Sequence, residues 1–198
     1  MAVGPSRISV RQKETTTTIL TLHQQSSTTD PNLDNHAIYL PTSTSTTGGK
    51  WPVVVWGNGG CGGDGNSNSK FLGWLASYGY LAIASGRPGG SGSTTAQMMT
   101  ASIDFAVKVA GTGKYANVDA TKIFASGFSC GGVESMAQSW DKRVATIGVI
   151  SSGLLTNYTA AGTFTKPILY VIGGSGDVAY NNVRSPPCGR QSGWTGWG

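Results

Sequence analysis

The sequence is poor in charge and cysteine and has no long hydrophobic run, and each shortage excludes a class of protein. Only 12% of its residues are charged, about half the typical share for a soluble domain. This low charge, together with six Trp and seven Tyr, excludes a disordered acidic or basic tail. No apolar run approaches the ~20 residues that a membrane helix needs, so we expect no membrane span. Three cysteines without a C-x-x-C pair do not make a disulfide scaffold and argue against a zinc site.

The charge that is present does not indicate a nucleic-acid partner. The net charge is +5, from 14 Lys and Arg against 9 Asp and Glu. The basic residues are scattered, except for a small cluster at Arg7, Arg11 and Lys13. This distribution favours a solvated N-terminal arm over a surface that binds nucleic acid. Residues 1–14 contain no apolar segment like that of a secretory signal peptide, although residues 157–159 match a glycosylation sequon. These signals leave the localisation open.

Hydrophobic segments alternate between strand and helix patterns, with glycine-rich loops between them. The continuous β-branched and aromatic run Trp51–Trp56 predicts a strand buried on both faces. Further strands are predicted at residues 80–84, 123–126, 144–151 and 167–172, helices at 71–78, 95–110 and 131–140, and a polar connection at 111–121. Strands that alternate with helices form right-handed crossovers. We therefore predict one α/β domain, with a mostly parallel sheet and helices on both faces.

One segment, Gly127-Phe128-Ser129-Cys130-Gly131, matches the G-x-S-x-G pattern. A predicted strand enters it and a predicted helix leaves it, as the nucleophile elbow of serine hydrolases requires. A sharp strand-to-helix turn would hold Ser129 at a helix N-terminus, where the partial positive charge favours an oxyanion. Side chains two residues before or after the serine would collide, which explains both glycines. The alternative is an ordinary glycine-rich turn with a capping serine.

The strand Trp51–Trp56 also ends in an unusual segment, Asn58-Gly59-Gly60-Cys61, at the same edge of the predicted sheet. Acyl transfer needs backbone N–H groups aimed at the place where negative charge develops. The elbow supplies one such donor, the N–H of Cys130, and either Gly60 or Cys61 is the candidate for the other. A plain surface loop is the alternative.

A third strand end supplies a candidate acid. The segment Gly173–Asp177 follows the apolar stretch PILYVI. A triad acid in a fold with this elbow comes after the nucleophile in the chain and follows a strand. Asp177 is the only acidic residue after Asp141, and Asp141, beside Lys142 and Arg143, fits a solvated helix end. Asp177 is therefore the candidate acid, and a turn-forming role is the alternative.

Four segments together resemble a known family: WPVVVWGNGGC, KYANVD-x-x-KI, GFSCGG and KPILYVIGG-x-GDVAY. They are similar to the fungal secreted α/β-hydrolases related to dienelactone hydrolases, lipases and polyester hydrolases, over roughly Ala37 to Asn181. The resemblance implies an extracellular serine esterase of α/β-hydrolase fold, with Ser129 as nucleophile, Asp177 as triad acid, and no metal or organic cofactor. It also suggests a role for Cys61 and Cys130, which each adjoin one half of the expected oxyanion hole. A disulfide between them is a hypothesis, and two buried free thiols are the alternative.

The chain departs from this family in its histidines. The family's general base is a histidine that follows the acid, whereas this chain has His23 and His36, both before the first central strand. We expect both to lie on peripheral strands and not to replace the base. The stretch 184–198 has no amphipathic period and contains Cys188. It stands where a final strand and helix belong, so we expect these elements to be missing or degraded, as at a truncated or out-of-frame C-terminus.

The predicted organisation is a polar N-terminal arm over residues 1–36 with a candidate edge strand at 15–22, an α/β-hydrolase core over 37–183, and an irregular tail over 184–198. The predicted function is that of a monomeric, serine-dependent hydrolase of small-molecule or polymeric esters that acts through an acyl-enzyme and lacks the catalytic histidine. Aromatic residues beside strand ends, Trp56, Phe128 and Tyr180, are candidates for an acyl pocket or for ordinary packing.

Three alternatives stay open. One is a non-catalytic binding domain of the same fold, and another is a fragment that does not fold stably because sheet edge and apolar surface are exposed. The third is a nucleotide-binding loop, since residues 57–62 fit G-x-G-x-x-G loosely. It is disfavoured because further loop residues, rather than a helix N-terminus, follow that segment.

Overall fold

The computed structural model describes residues 26–41, 49–153 and 164–180. Within these ranges the strands are β1 (Ser27–Asp30), β2 (Leu33–Tyr39), β3 (Trp51–Gly57), β4 (Leu81–Ser85), β5 (Val118–Phe128), β6 (Val144–Ile150) and β7 (Ile168–Val171). The helices are α1 (Ser69–Ser77), α2 (Ala96–Val109) and α3 (Cys130–Met136), with short 3₁₀ turns at Gly59–Cys61, Gly113–Tyr115 and Ala137–Trp140. The candidate edge strand at 15–22, the sequon at 157–159 and the tail at 184–198 lie outside the described residues.

All of these strands belong to one sheet, in the order β1-β2-β4-β3-β5-β6-β7. The strands from β4 to β7 run parallel to one another. At one edge, β2 pairs antiparallel with β4, and β1 pairs antiparallel with β2. The predicted, mostly parallel sheet is therefore confirmed. The carboxyl ends of β3, β5, β6 and β7 lie along one edge, where sites form in such sheets.

The side chains of the central strands fill a core on each face of the sheet. In β3, Val53 and Val55 lie in the cluster that contains residues of α2, whereas Val54 and Trp56 lie in the cluster that contains Leu72 of α1. Successive side chains of a strand point to opposite faces. A strand covered on both faces therefore needs an uninterrupted apolar run, and Trp51–Trp56 provides one. The prediction of helices on both faces is confirmed.

The strand β5 begins earlier than the sequence predicts. The sequence indicates a polar connection up to residue 121 and a strand from 123, but β5 already starts at Val118 and continues to Phe128. Trp51 pairs with Val118, and a register shift follows between Pro52 and Val53. The polar segment thus joins the sheet through a tertiary pairing, which outweighs its weak strand propensity.

The helices lie close to their predicted positions. The helix α1 ends before Gly79, whose φ of 92° is the left-handed conformation that glycine supplies at helix ends. The single helix predicted at 131–140 is divided, since α3 ends at Met136 and a 3₁₀ turn continues to Trp140. Among the described residues, no helix has the length and apolar character that would let it cross a membrane.

Candidate active site

Ser129 lies at the turn between β5 and α3. Its backbone has φ of 52° and ψ of −118°, a conformation that residues other than glycine rarely adopt. The N–H of Ser129 donates to the carbonyl oxygen of Ile150 at 2.9 Å, and its own carbonyl oxygen accepts from the N–H of Gly132 at 2.9 Å. These bonds hold the strained conformation in place. Such strain outside glycine is typical of functional turns, including the elbow of serine hydrolases.

The glycines that flank Ser129 allow backbones to approach one another. A Cβ atom on Gly127 would overlap the carbonyl oxygen of Gly131, and a Cβ atom on Gly131 would overlap the carbonyl group of Gly57. These clashes involve backbone atoms, so a side-chain rearrangement cannot relieve them. The start of α3 therefore packs directly on the ends of β5 and β3.

The loop after β3 is organised by a residue that the sequence analysis did not single out for that purpose. Asn58 is fully buried. Its Nδ2 atom lies 2.8 Å from the carbonyl oxygen of Gly62, 3.1 Å from that of Asp64 and 2.8 Å from that of Ser85. Buried amides with such partners fix backbone geometry, because leaving the carbonyl groups unpaired would be unfavourable. Asn58 thus fixes the path of the glycine-rich loop.

The N–H groups of this loop differ in whether a backbone carbonyl group already engages them. The N–H of Cys61 donates to the carbonyl oxygen of Asn58 at 3.2 Å, so Cys61 is the weaker of the two donor candidates. Within the described ranges, no such bond engages the N–H of Gly60 or that of Cys130. Cys130 is the first residue of α3, where the N–H has no partner inside the helix. Of the three candidate N–H groups, those of Gly60 and Cys130 are therefore the two that no backbone carbonyl group engages among the described residues.

A disulfide joins Cys61 to Cys130, with their Cα atoms 5.2 Å apart. One cysteine follows Gly60, and the other carries the second candidate N–H. The covalent bond therefore links the loop after β3 to the start of α3. Both cysteines and Ser129 are partly exposed.

Asp177 lies in the loop after β7. Its carboxylate accepts the N–H of Gly173 at 2.9 Å and the N–H of Ala179 at 2.8 Å. A hydrogen bond from the Ser151 hydroxyl, followed by these two N–H groups, holds the pKa of Asp177 below its ordinary value. Ser151, which the sequence analysis did not identify, follows β6, and its N–H donates to the carbonyl oxygen of Val171 at 2.8 Å. Asp177 is thus an ionised carboxylate at the carboxyl edge of the sheet.

Asp141, the acidic residue that precedes Asp177 in the chain, does not lie at the same edge of the sheet as Asp177. It precedes β6 and therefore stands at the opposite edge of the sheet. Its Oδ2 atom lies 2.6 Å from Nη2 of Arg143, and its side chain is only 15% exposed. Asp141 lies at a helix end as expected, since it follows the 3₁₀ turn Ala137–Trp140, but its carboxylate is largely covered by this ion pair and is not fully solvated.

His36 is engaged in the structure of β2 and is remote from Ser129. Its side chain is buried, with Nδ1 2.8 Å from the carbonyl oxygen of Asp34 and Nε2 2.9 Å from that of Met98. In the sheet, β4 and β3 separate β2 from β5, a span of about 14 Å at the usual strand spacing. His36 therefore cannot serve Ser129 as a base. His23 lies outside the described residues.

A buried carboxyl group, Glu134, lies beneath the turn and was missed in the sequence. Its side chain is 6% exposed, and burial raises its pKa although the Thr94 hydroxyl opposes this by donating to Oε1 at 2.9 Å. The N–H of Thr94 donates to the carbonyl oxygen of Cys61 at 2.7 Å. Glu134 therefore connects α3 with the loop through Thr94. A lone acid among small residues of a short helix was the only signal in the sequence.

The aromatic residues near the site have different roles. Trp56 is buried, and its ring packs on Phe71 of α1 with centroids 5.2 Å apart, so it belongs to the core. Phe128 is 40% exposed, and its ring lies against Gly59. Phe128 is thus the aromatic side chain that borders both the turn and the loop. Tyr180 is half-buried beside Asp177.

An open depression of about 570 Å³ borders the loop on its β4 side and is lined in part by Gly63, Arg87 and Ser93. This volume lies in the range of small-molecule sites. Among the side chains that the structure describes, no group of three His, Cys, Asp or Glu residues is placed to hold a metal ion.

Comparison with known proteins identifies the fold. No protein-family model matches the chain, and no curated protein matches it. Among solved structures, it is similar to a protein of Klebsiella pneumoniae subsp. pneumoniae MGH 78578 that is named as a dienelactone hydrolase, with a TM-score of 0.51 and 18% sequence identity. The match covers 68% of this chain and 65% of that one, so it spans less than two thirds of the neighbour's length. The chain has the α/β-hydrolase fold.

Proposed function

We propose that this chain is a serine-dependent hydrolase of carboxylic esters. The observation that carries the proposal is the strained conformation of Ser129, with φ of 52°. It is supported by the N–H groups of Gly60 and Cys130, which no backbone carbonyl group engages among the described residues. Strain at a residue other than glycine is maintained only where the surrounding structure enforces it, and it concentrates at functional sites. The fold that the chain shares with a protein named as a dienelactone hydrolase supports this assignment by analogy.

In the proposed reaction, the Ser129 oxygen attacks the ester carbonyl carbon and gives up its proton to a base. The carbonyl oxygen becomes an oxyanion, which the N–H groups of Gly60 and Cys130 stabilise. The intermediate collapses by expelling the alcohol, which takes up a proton, and leaves an acyl group on Ser129. Water then attacks the acyl group by the same route and releases the acid and the free serine.

The proposed reaction needs a general base, and no histidine follows Ser129 in the sequence to provide it. Asp177 follows β7 and Ser129 follows β5, two strands apart in the sheet, which is a backbone separation of about 10 Å at the usual spacing. An imidazole ring hydrogen-bonded to both groups spans a distance of that order. We propose that Asp177 orients an imidazole, which His36 does not provide because of its place on β2. Without that base, only about 10³–10⁴-fold acceleration over water is expected.

Chemical rescue by free imidazole tests the proposal. Hydrolysis of a p-nitrophenyl ester is measured against imidazole concentration for the parent protein and for Ser129→Ala. Imidazole also cleaves such esters in solution, and the Ser129→Ala variant measures that background. We expect a saturable additional rate in the parent and fluorophosphonate labelling of Ser129, read by peptide mass spectrometry. A parent rate equal to that of Ser129→Ala, with no label on the serine, would exclude an activated nucleophile.

A non-catalytic binding domain of the same fold is the second candidate. The observation that favours it is the position of His36, whose ring nitrogens contact backbone carbonyl oxygens on a strand three positions from β5 in the sheet. Such a domain would bind an ester without turning it over, even with imidazole present. Its affinity would be the same in the parent and in Ser129→Ala, as isothermal titration calorimetry can show.

A further inference from the structure

We propose that the Cys61–Cys130 disulfide positions the oxyanion-binding N–H groups, so that its reduction by a dithiol lowers the activity of the site. This inference rests on the proposed hydrolase function and adds a redox dependence to it. The bond connects residues 69 positions apart in the chain. One of them follows Gly60 and the other bears the second N–H, so the bond fixes the separation of the two donors.

The loop on the Cys61 side has a backbone conformation that needs support. Gly60 has φ of 61° and Cys61 has φ of 48°, and the left-handed region is uncommon for a residue such as cysteine. Glycine occupies most positions between 57 and 63. Glycine-rich segments lose much conformational freedom when they are ordered. Without a contact that fixes its tip, a loop of this composition would adopt many conformations, and the N–H of Gly60 would point in a different direction in each.

The other contacts of this loop hold its base or reach α3 only indirectly, as Cys61 does through Thr94 and Glu134. The Asn58 side chain binds carbonyl groups that include the one of Ser85 at the end of β4. The carbonyl oxygen of Cys61 accepts from Thr94, in the segment before α2. Towards α3, the N–H of Gly131 donates to the carbonyl oxygen of Asn58 at 3.0 Å, two residues before Gly60. The disulfide therefore ties the tip of the loop directly to the start of α3.

The bond is open to a small reductant. Cys61 and Cys130 are partly exposed, as Ser129 is, so a small dithiol can approach this part of the surface. A thiolate of the dithiol attacks one sulfur, forms a mixed disulfide and releases the other cysteine as a thiolate. The second thiol of the reductant then displaces the first cysteine. Two electrons and two protons pass to the protein, which gains two thiols, and the reductant becomes a cyclic disulfide.

Reduction should impair the site and leave the fold intact. Both core clusters and the hydrogen bonds of Asn58 are independent of the disulfide. Loss of one oxyanion donor costs about 10²–10³-fold in kcat. Because reduction misaligns the Gly60 N–H and does not remove it, we expect kcat to fall by about 10- to 100-fold. KM should change little, since the ground-state ester does not depend on this donor.

The experiment compares the protein before reduction, after dithiothreitol and after reoxidation, with ester hydrolysis measured in the presence of imidazole. The Cys188→Ser variant is the matched control for the remaining cysteine. The Cys61→Ala/Cys130→Ala double variant removes the bond permanently. Far-UV circular dichroism follows the fold, and hydrogen–deuterium exchange follows the amides of residues 58–63 and 130–132.

We expect a reversible fall in kcat for the parent and for Cys188→Ser, and a low rate unaffected by dithiothreitol in the double variant. An unchanged kcat after complete reduction, or a fall that occurs only together with global unfolding, would overturn the inference. If the oxidised protein neither hydrolyses the ester nor reacts with a fluorophosphonate, the proposed function fails instead. Hydrogen exchange then decides the positioning role: faster exchange at residues 58–63 on reduction supports it, and unchanged exchange refutes it.

Discussion

The two halves of the candidate site are built in different ways. On the nucleophile side, Gly57, Gly127 and Gly131 bring backbones so close that no side chain fits between them, and a disulfide closes the arrangement. On the acid side, hydrogen bonds hold Asp177, and the neighbouring strand β7 alternates between half-buried and exposed residues. The first half therefore depends on shape, whereas the second depends on charge and is open to solvent.

A matched pair of glycine substitutions should show this contrast most strongly. Gly131→Ala places a methyl group on the carbonyl group of Gly57, whereas a methyl group on Gly176 meets nothing within 4 Å. We expect Gly131→Ala to lower the free energy of unfolding by more than about 3 kcal/mol, and Gly176→Ala to change it by less than about 0.5 kcal/mol. Urea unfolding measures both. Equal effects would show that the two halves are packed alike.

Neutralising the acid should impair catalysis far more than stability. Asp177→Asn keeps the shape of the side chain but removes the charge that orients an imidazole. We expect the imidazole-supported rate to fall by about 100-fold or more, with little change in the free energy of unfolding. Asp34→Asn, on an exposed carboxylate within β2, is the control and should leave the rate unchanged. A full rate in Asp177→Asn would remove this residue from the site.

The strain at Ser129 should be measurable as stability. Ser129→Gly relieves the left-handed conformation, whereas Ser129→Ala keeps a Cβ atom in it. We expect the free energy of unfolding of Ser129→Gly to be about 1 kcal/mol larger than that of Ser129→Ala. Neither variant should be labelled by a fluorophosphonate. An alanine variant as stable as the glycine variant would mean that the turn stores no strain.

The smallest expected effect concerns Glu134 and pH. Burial raises the pKa of this carboxyl group in the folded state. At pH values between the ordinary Glu pKa and this raised pKa, Glu134 is therefore protonated more often in the folded protein than in the unfolded chain. The contribution of Glu134 to stability is therefore present at low pH and is lost as the pH rises through the folded-state pKa. Glu134→Gln should flatten this part of the stability curve, measured by urea unfolding between pH 4 and pH 8. A parallel curve for both proteins would contradict it.

The sequence predicts the fold well because its strands are covered on both faces. Short, continuous β-branched and aromatic runs such as Trp51–Trp56 are typical of strands buried on both faces, and helical spacing between them indicates the crossover helices. The early start of β5 escapes prediction because Val118 joins the sheet only through pairing with Trp51. Local composition does not encode that partner.

The sequence predicts the candidate site only where the residues that form it are close together in the chain. The G-x-S-x-G spacing indicates Ser129 because strand, turn and helix are contiguous. Asn58, Glu134 and Ser151 escape prediction because their partners come from distant segments. The choice between Gly60 and Cys61 as oxyanion donor also needed the structure, because it depends on which of the two N–H groups is hydrogen-bonded within the loop.

The most direct test of the account is a measurement on the two proposed donor N–H groups. Amide proton shifts of Gly60 and Cys130 are recorded by ¹H–¹⁵N NMR before and after a fluorophosphonate reacts with the protein. The phosphonyl oxygen of the adduct takes the place of the oxyanion, so both amide protons should move downfield together while Cys61 changes little. Unchanged shifts at Gly60 and Cys130 in a protein labelled on Ser129 would contradict the account.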